Sequence, residues 1–200
     1  MSRIFGLILA GGEGSRLGGV RKADLRIGGV RLLQRVAGAF EGKVAELFVA
    51  SGQIDVSDLA LTSLRDESAI STGPLAGIRA AVRHLEKTFD SGDMLVSVAV
   101  DTPFLPPDYV ERLSQAAAKT GAAYAAWGES IYPTNSAWQL TALSDALEAT
   151  SESAGPKAIL HKLGAARVDW SANAAVDPFA NINTLDDLIA LQRRAIRLGI

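Results

Sequence analysis

A three-layer α/β/α fold around a mostly parallel sheet is what this sequence predicts, and three observations predict it. Short apolar runs alternate with segments of helical period along the 200 residues. The run Met94–Val100 (MLVSVAV) is apolar on both faces, as a central parallel strand covered by helices must be. A glycine-rich stretch, LAGGEGSRLGGVRK (Leu9–Lys22), follows the first apolar run, where a strand of such a sheet hands the chain to a loop.

The elements follow in order. Ile4–Ala10 reads as the first strand. Beyond the glycine loop come a short extended piece, a turn at Gly28-Gly29, and a helix with Leu32, Leu33, Val36 and Phe40 on its apolar face. Glu46–Ser51 is the second strand, followed by a weak helix around Asp55–Ser63. Gly73-Pro74 opens a helix that runs through Phe89 and lines up Leu75, Ile78, Val82 and Leu85. After the strand Met94–Val100, Pro106-Pro107 starts a helix to about Lys119, with Asp108 in its first turn. AAYAAW (Ala122–Trp127) is a strand, and YPTNSAWQL (Tyr132–Leu140) a turn leading into an extended piece. Two short helices, TALSDALEAT and GPKAILHKLG, precede a strand in ARVDW, and Thr184 caps a last helix with Asp186 and Asp187 at its positive end. No repeat or linker divides the chain, so residues 1–200 are read as one domain.

Composition narrows the function. Twenty Lys and Arg stand against 22 Asp and Glu, with no long basic run, which argues against nucleic acid as a partner but leaves room for a compact anion. The absence of cysteine excludes disulfides, thiolate metal sites and cysteine nucleophiles, and suits a reducing cytoplasm. The start, MSRIFGLILAGG, faintly imitates a signal peptide, yet its apolar run is too short and a cationic loop follows, so it reads as a buried strand. No stretch approaches the roughly 20 apolar residues of a membrane helix. The chain is read as cytoplasmic.

The glycine loop has the ingredients of a phosphate cradle: small residues that bare backbone N–H groups, a preceding strand, and Arg16, Arg21 and Lys22 close by. It fails the Walker pattern, because Val20 stands where lysine must be. It fails the dinucleotide fingerprint, because Leu17 replaces the third glycine. It resembles instead the signature L-A-G-G-x-S-x-R-M-G-x-x-K of nucleotidyltransferases that act on nucleoside triphosphates. Leu9, Ala10, Gly11, Gly12, Arg16, Gly18 and Lys22 match, and Leu17 replaces methionine. Gly14 holds the serine's place, with Ser15 one position later. Further segments fall in family order: GPLAGI (Gly73–Ile78), DTPFLPPD (Asp101–Asp108), YPT (Tyr132–Thr134) and NINTLDDL (Asn181–Leu188). Together they resemble the molybdenum cofactor guanylyltransferases over nearly the whole chain.

That resemblance implies a Rossmann-like sheet of the nucleotidyltransferase type, with a nucleotide-binding N-terminal half and a mainly acceptor-binding C-terminal half. It implies Mg²⁺-dependent transfer of GMP from GTP to the terminal phosphate of molybdopterin, and transient contact with molybdoenzymes or cofactor chaperones. The double glycine and GPLAG favour guanine; a CTP-dependent enzyme, a sugar-phosphate nucleotidyltransferase and a non-catalytic GTP- or cofactor-binding module are the alternatives. Arg16 and Lys22 are expected on the phosphates. Asp101 is expected on Mg²⁺, or else capping the next turn. Leu9–Gly12, Asp66, Gly73, Pro74 and Leu75 are expected at the nucleotide. Asn181 and Asn183 either serve the acceptor and metal region or make Asx turns. Ala50 stands where the family offers asparagine, so that contact is lost or moved to Ser51 or Gln53. Arg21 is read as a surface cation. His84 and His161, far apart on helical patterns, are not read as a metal pair, and the three tryptophans read as core or pocket wall.

Overall fold

The computed structural model describes residues 2–11, 19–51, 56, 59, 61–64 and 73–200. Gly12, Arg16 and Asp66 of the expected site, with Gly14, Ser15, Gln53 and residues 55, 57, 58 and 60 of the helix expected around Asp55–Ser63, lie outside the described residues.

One seven-stranded sheet organises the chain. Its strands are β1 (Ile4–Leu9), β4 (Glu46–Ala50), β5 (Thr62–Leu64), β6 (Met94–Ala99), β7 (Ala122–Trp127), β8 (Ser130–Gln139) and β9 (Ala166–Asp169), in spatial order β5-β4-β1-β6-β8-β7-β9. A separate hairpin pairs β2 (Arg26–Ile27) with β3 (Val30–Arg31) around the expected Gly28-Gly29 turn. All pairings in the large sheet are parallel except those of β8, which runs against both β6 and β7. The chain leaves β1 toward β4 on one side and later returns to β6 on the other, which makes the carboxyl end of β1 the switch point.

Alternation along the strands sorts the core into two layers. Phe5, Leu7, Leu9, Phe48 and Leu95 face α2 (Pro74–Leu85), α4 (Leu140–Glu148) and α5 (Pro156–Lys162) through Leu75, Ile78, Leu143, Leu147 and Ile159. Ile8, Val49, Val96 and Val98 face α1 (Leu32–Gly38), α3 (Tyr109–Thr120) and α6 (Leu185–Leu198) through Leu33, Val36, Leu113, Leu191 and Ala195. The three-layer expectation is met.

Four local expectations need correction. Thr62 and Ser63, placed at the end of a helix by the sequence reading, belong to strand β5, because pairing of Thr62–Leu64 with Phe48–Ala50 at the sheet edge outweighs a weak helical pattern. The turn expected at Tyr132–Thr134 is part of strand β8; the reversal sits at Gly128-Glu129 instead. Proline suggested a turn there, but the sheet accommodates it as an irregularity. Tyr124 pairs with Ser136 and Ala125 with Tyr132, leaving Pro133–Asn135 out of register where no ladder N–H is required. The helix opened by Gly73-Pro74 ends at Leu85, short of Phe89, and Asp108 is the residue before α3, where it accepts a hydrogen bond from Trp170 Nε1 at 2.9 Å.

Candidate functional site

The exit of β1 is clamped on both sides. Ala10 N donates to Ala50 O at 2.9 Å and Val100 N to Leu9 O at 3.1 Å, so the backbone of Leu9-Ala10 is held between the ends of β4 and β6. Gly11 follows in the open: a side chain built there would meet nothing within 4 Å. Against this edge stands the start of α2, with Gly73 at φ 93° and Pro74 in the first turn. Leu75 is buried, while Gly77 brings the helix so near that an added Cβ would lie 2.7 Å from Ala50 Cβ and 2.9 Å from Leu9 Cδ2. Glycine is what allows this helix to touch the two strand ends.

Lys22 enters from the other side. It opens a 3-10 turn over Lys22–Asp24 that is anchored by the buried Ala23. Its ammonium donates to Asp101 Oδ2 at 2.6 Å and to Asn183 Oδ1 at 2.9 Å, joining residues that lie 79 and 161 positions away. Asp101 is 9% exposed, just past β6, in a turn fixed by Thr102, whose N and Oγ1 both donate to Ala99 O. A charge-assisted bond between two largely covered groups is among the stronger polar contacts a protein makes.

Asn183 is held in turn by α6. Asp187 Oδ2 accepts from Asn183 N at 3.0 Å, from Thr184 N at 2.8 Å and from Thr184 Oγ1 at 2.9 Å, while Asp187 N donates back to Thr184 Oγ1. This capping box satisfies the first amides of the helix. The Asn183 backbone N–H, then the Thr184 hydroxyl, hold the Asp187 carboxyl below the usual carboxylate range, with Lys22 adding a smaller pull. Asp187 was legible in the sequence as a helix-start acid; that it also orients Asn183 was not.

Of the residues singled out from sequence, Lys22, Asp101 and Asn183 therefore meet directly, and Leu9–Gly11 with Gly73–Leu75 border the same carboxyl edge of the sheet. Asn181 is exposed and makes no hydrogen bond to Lys22 or Asp101 among the described residues. Ser51 lies buried at the end of β4, its hydroxyl without a partner among the described residues. His84 and His161 are exposed on α2 and α5. Trp138 and Trp170 are buried, and Trp127 is half-buried with its Nε1 donating to Ala174 O.

The sequence reading missed Asn135. It is fully buried in the β8 irregularity, and its Oδ1 accepts from Ala99 N at 3.0 Å, which takes over the ladder where β8 leaves register and steadies the turn bearing Asp101. Its Nδ2 has no partner among the described residues. Behind it, Ser97 Oγ donates to Thr134 O and accepts from Trp138 Nε1, and Tyr109 Oη donates to Ser97 O at 2.6 Å. Burial pushes the Tyr109 phenol well up. An asparagine two residues after a proline, shortly before the apolar pair Ala137-Trp138, is the sequence signal, but only the pairing pattern gives it meaning.

Comparison with known proteins gives the family. Residues 6–191 match the family described as the MobA-like NTP transferase domain. A molybdenum cofactor guanylyltransferase of Cereibacter sphaeroides is 36% identical over 189 residues, covering 93% of this chain and 94% of that protein. One of Rhodobacter capsulatus is 37% identical over 195 residues, covering 96% of each. Among solved structures, molybdopterin-guanine dinucleotide biosynthesis protein A from Archaeoglobus fulgidus superposes with a TM-score of 0.76 at 22% identity, over 96% of this chain and 99% of that one. A nucleotidyl transferase from Methanothermobacter gives 0.75 at 19% identity, over 99% and 100%. These last two speak for the fold. The extent and identity of the sequence matches carry the assignment: the chain belongs to the MobA-like NTP transferase family and is a nucleotidyltransferase.

Proposed function

We propose that this chain transfers GMP from GTP to the terminal phosphate of molybdopterin, releasing pyrophosphate, as one domain whose N-terminal half takes the nucleotide and whose C-terminal half mainly takes the acceptor. The observation that carries this reading is the Lys22 ammonium bridging Asp101 and Asn183 beside the clamped exit of β1. The names of its relatives supply guanine and the molybdenum cofactor.

The acceptor's phosphate oxygen is already anionic, so no strong base is needed to make it a nucleophile. It attacks the α-phosphorus of GTP; a new P–O bond forms, the α–β bridging bond breaks, and its electron pair leaves on pyrophosphate. The obstacle is the approach of one anion to another. Lys22 neutralises charge on the triphosphate, with Arg16 and the backbone amides of Gly11 and Gly12, beyond the strand end that Leu9-Ala10 anchor, in the same role. Asp66, Gly73, Pro74 and Leu75 hold the nucleoside end, and Asn181 and Asn183 face the acceptor. Holding both substrates in line supplies much of the remaining acceleration.

The site suits Mg²⁺. Among the described residues no three His, Cys, Asp or Glu side chains converge into a cage, but Asp101 presents one hard oxygen donor group at the same edge. Magnesium favours one or two carboxylates and completes its shell with phosphate and water. Bound at Asp101, it would supply further neutralisation of phosphate oxygens.

The test is incubation of the purified protein with MgCl₂, either molybdopterin or a sugar phosphate as acceptor, and either GTP or CTP, followed by mass analysis. The expected product is the guanine dinucleotide with released pyrophosphate. A cytosine product, a product formed only with a sugar phosphate, or binding of GTP without pyrophosphate release would each replace this reading by the corresponding alternative.

A further inference from the structure

Between β9 and α6 the chain runs from Trp170 to Thr184 without strand or helix, and this connection delivers Asn183 to Lys22. Connections of such length without secondary structure are uncommon, and most are either functional or disordered. This one is tied down at Asp177. Its Oδ2 accepts from the Tyr132 hydroxyl of β8, and its Oδ1 accepts from Phe179 N at 2.8 Å. Its backbone carbonyl accepts from Arg194 Nη1 of α6 at 2.6 Å. The Arg194 guanidinium in turn lies 4.5 Å from the centre of the Phe104 ring, on the loop that begins with Asp101. Phe179 is fully buried, 5.2 Å from the Tyr132 ring and 5.1 Å from Trp170.

One carboxylate thus joins β8, the connection and, through its own backbone, α6, six residues before Asn183. Phe179 and the buried Ile182 draw the connection inward, but apolar contacts are non-directional and do not fix how far along it sits. The bond from the Tyr132 hydroxyl of β8, made to a side chain whose other oxygen is held by Phe179 N of the same connection, does. We propose that Asp177 is a positioning residue for nucleotidyl transfer: it sets the connection in the one placement that puts Asn183 Oδ1 on the Lys22 ammonium, and so aims Lys22. The proposal rests on the reading of Lys22 and Asn183 as site residues.

The experiment is a double-mutant cycle on the full chain with D177A, N183A and the double variant, plus D177N. Turnover with GTP and molybdopterin is one readout; the other is the hydrogen-bonded Lys22 ammonium resonance in NMR, assigned with K22A, which needs no turnover. D177A and N183A are each expected to lower kcat/KM for the acceptor about tenfold, with the double variant no worse than N183A, because both remove the same interaction. D177A is expected to shift or lose the ammonium signal. D177N is expected to restore both readouts: its amide oxygen accepts from Phe179 N and its NH₂ donates to Tyr132 Oη. Additive losses, failure of D177N to rescue, or an unmoved ammonium signal in D177A overturn the proposal while leaving Asn183 in the site. A wild-type N183A overturns the reading of Asn183 itself, and the proposal with it. Should D177A fail to fold, Y132F removes one of the two side-chain bonds and runs through the same cycle.

Discussion

Lys22 and Asp101 depend on each other. Each is mostly covered, at 23% and 13% side-chain exposure, and removal of the lysine leaves a largely desolvated carboxylate without its counter-charge. Lys22→Ala is expected to weaken triphosphate binding by at least about tenfold, while guanosine binding stays near wild type. Calorimetry with the two ligands checks this, and equal losses would take Lys22 off the phosphates. Asp101→Ala is expected to lower turnover by roughly 10²-fold or more with the fold retained, since Thr102 and Asn135 hold that turn through Ala99 rather than through Asp101. Mg²⁺-dependent product formation at the wild-type rate would remove the carboxylate from the metal role. Both residues were legible in the sequence, Lys22 as the close of a glycine loop and Asp101 as the carboxylate after a strand apolar on both faces. Asn135 and Asp177 were not. Each acts by reaching across the sheet or the chain, and spacing along the sequence does not encode who will be opposite.

At the scale of elements, α2 shows how little room the site allows. Its glycine at position 77 admits close contact with Leu9 and Ala50, the last residues of β1 and β4. Ala50 Cβ cannot move aside without its backbone, so Gly77→Ala is expected to push the start of α2 off the strand ends. A cost of about 1–3 kcal/mol, typical of overpacking, would be read from denaturant unfolding. GTP affinity should fall with it, and unaltered stability would show that the helix can slide freely. Elements with strong periodic signals, such as β1, β6 and α2, declared themselves in the sequence because burial fixes the pattern of their apolar residues. β5 and the middle of β8 did not. One is three residues long at a sheet edge, and the other carries a proline whose local preference for a turn is overruled by its neighbours.

For the molecule as a whole, stability should be bounded by titration on both sides. On the acid side, burial works to raise the Asp93 carboxyl, but hydrogen bonds from Asp90 N and from Arg3 prevail and hold it below its ordinary value of 3.8. Asp187 is likewise held low. Folding favours the ionised form of these groups, so their contribution is whole above the ordinary carboxylate range and is lost as pH falls through the lowered values. On the alkaline side, burial first, then the Asp177 carboxylate, push the Tyr132 phenol up to about 12. Folding favours its neutral form, so that contribution is whole below 10 and disappears as pH climbs through about 12. The buried Tyr109 phenol, also pushed up, adds to the same limb. Tyr132→Phe is therefore expected to make the alkaline limb of a plot of urea midpoint against pH shallower without abolishing it, and to leave the acid limb unchanged. An alkaline limb as steep as that of the wild type would assign it elsewhere.

The last helix also reaches back to the beginning of the chain. Gln192 Oε1 accepts from Gly28 N at 3.0 Å in the early hairpin, and Leu191 and Ala195 share one apolar layer with Ile27 and Leu33. The polypeptide is laced shut: its opening third keeps an oily flank uncovered until the closing fourteen-residue helix arrives. On a ribosome, Ile27 and Leu33 would therefore wait, part of their apolar face bare, until more than 150 further residues had been joined and residues 185–198 could fold over them.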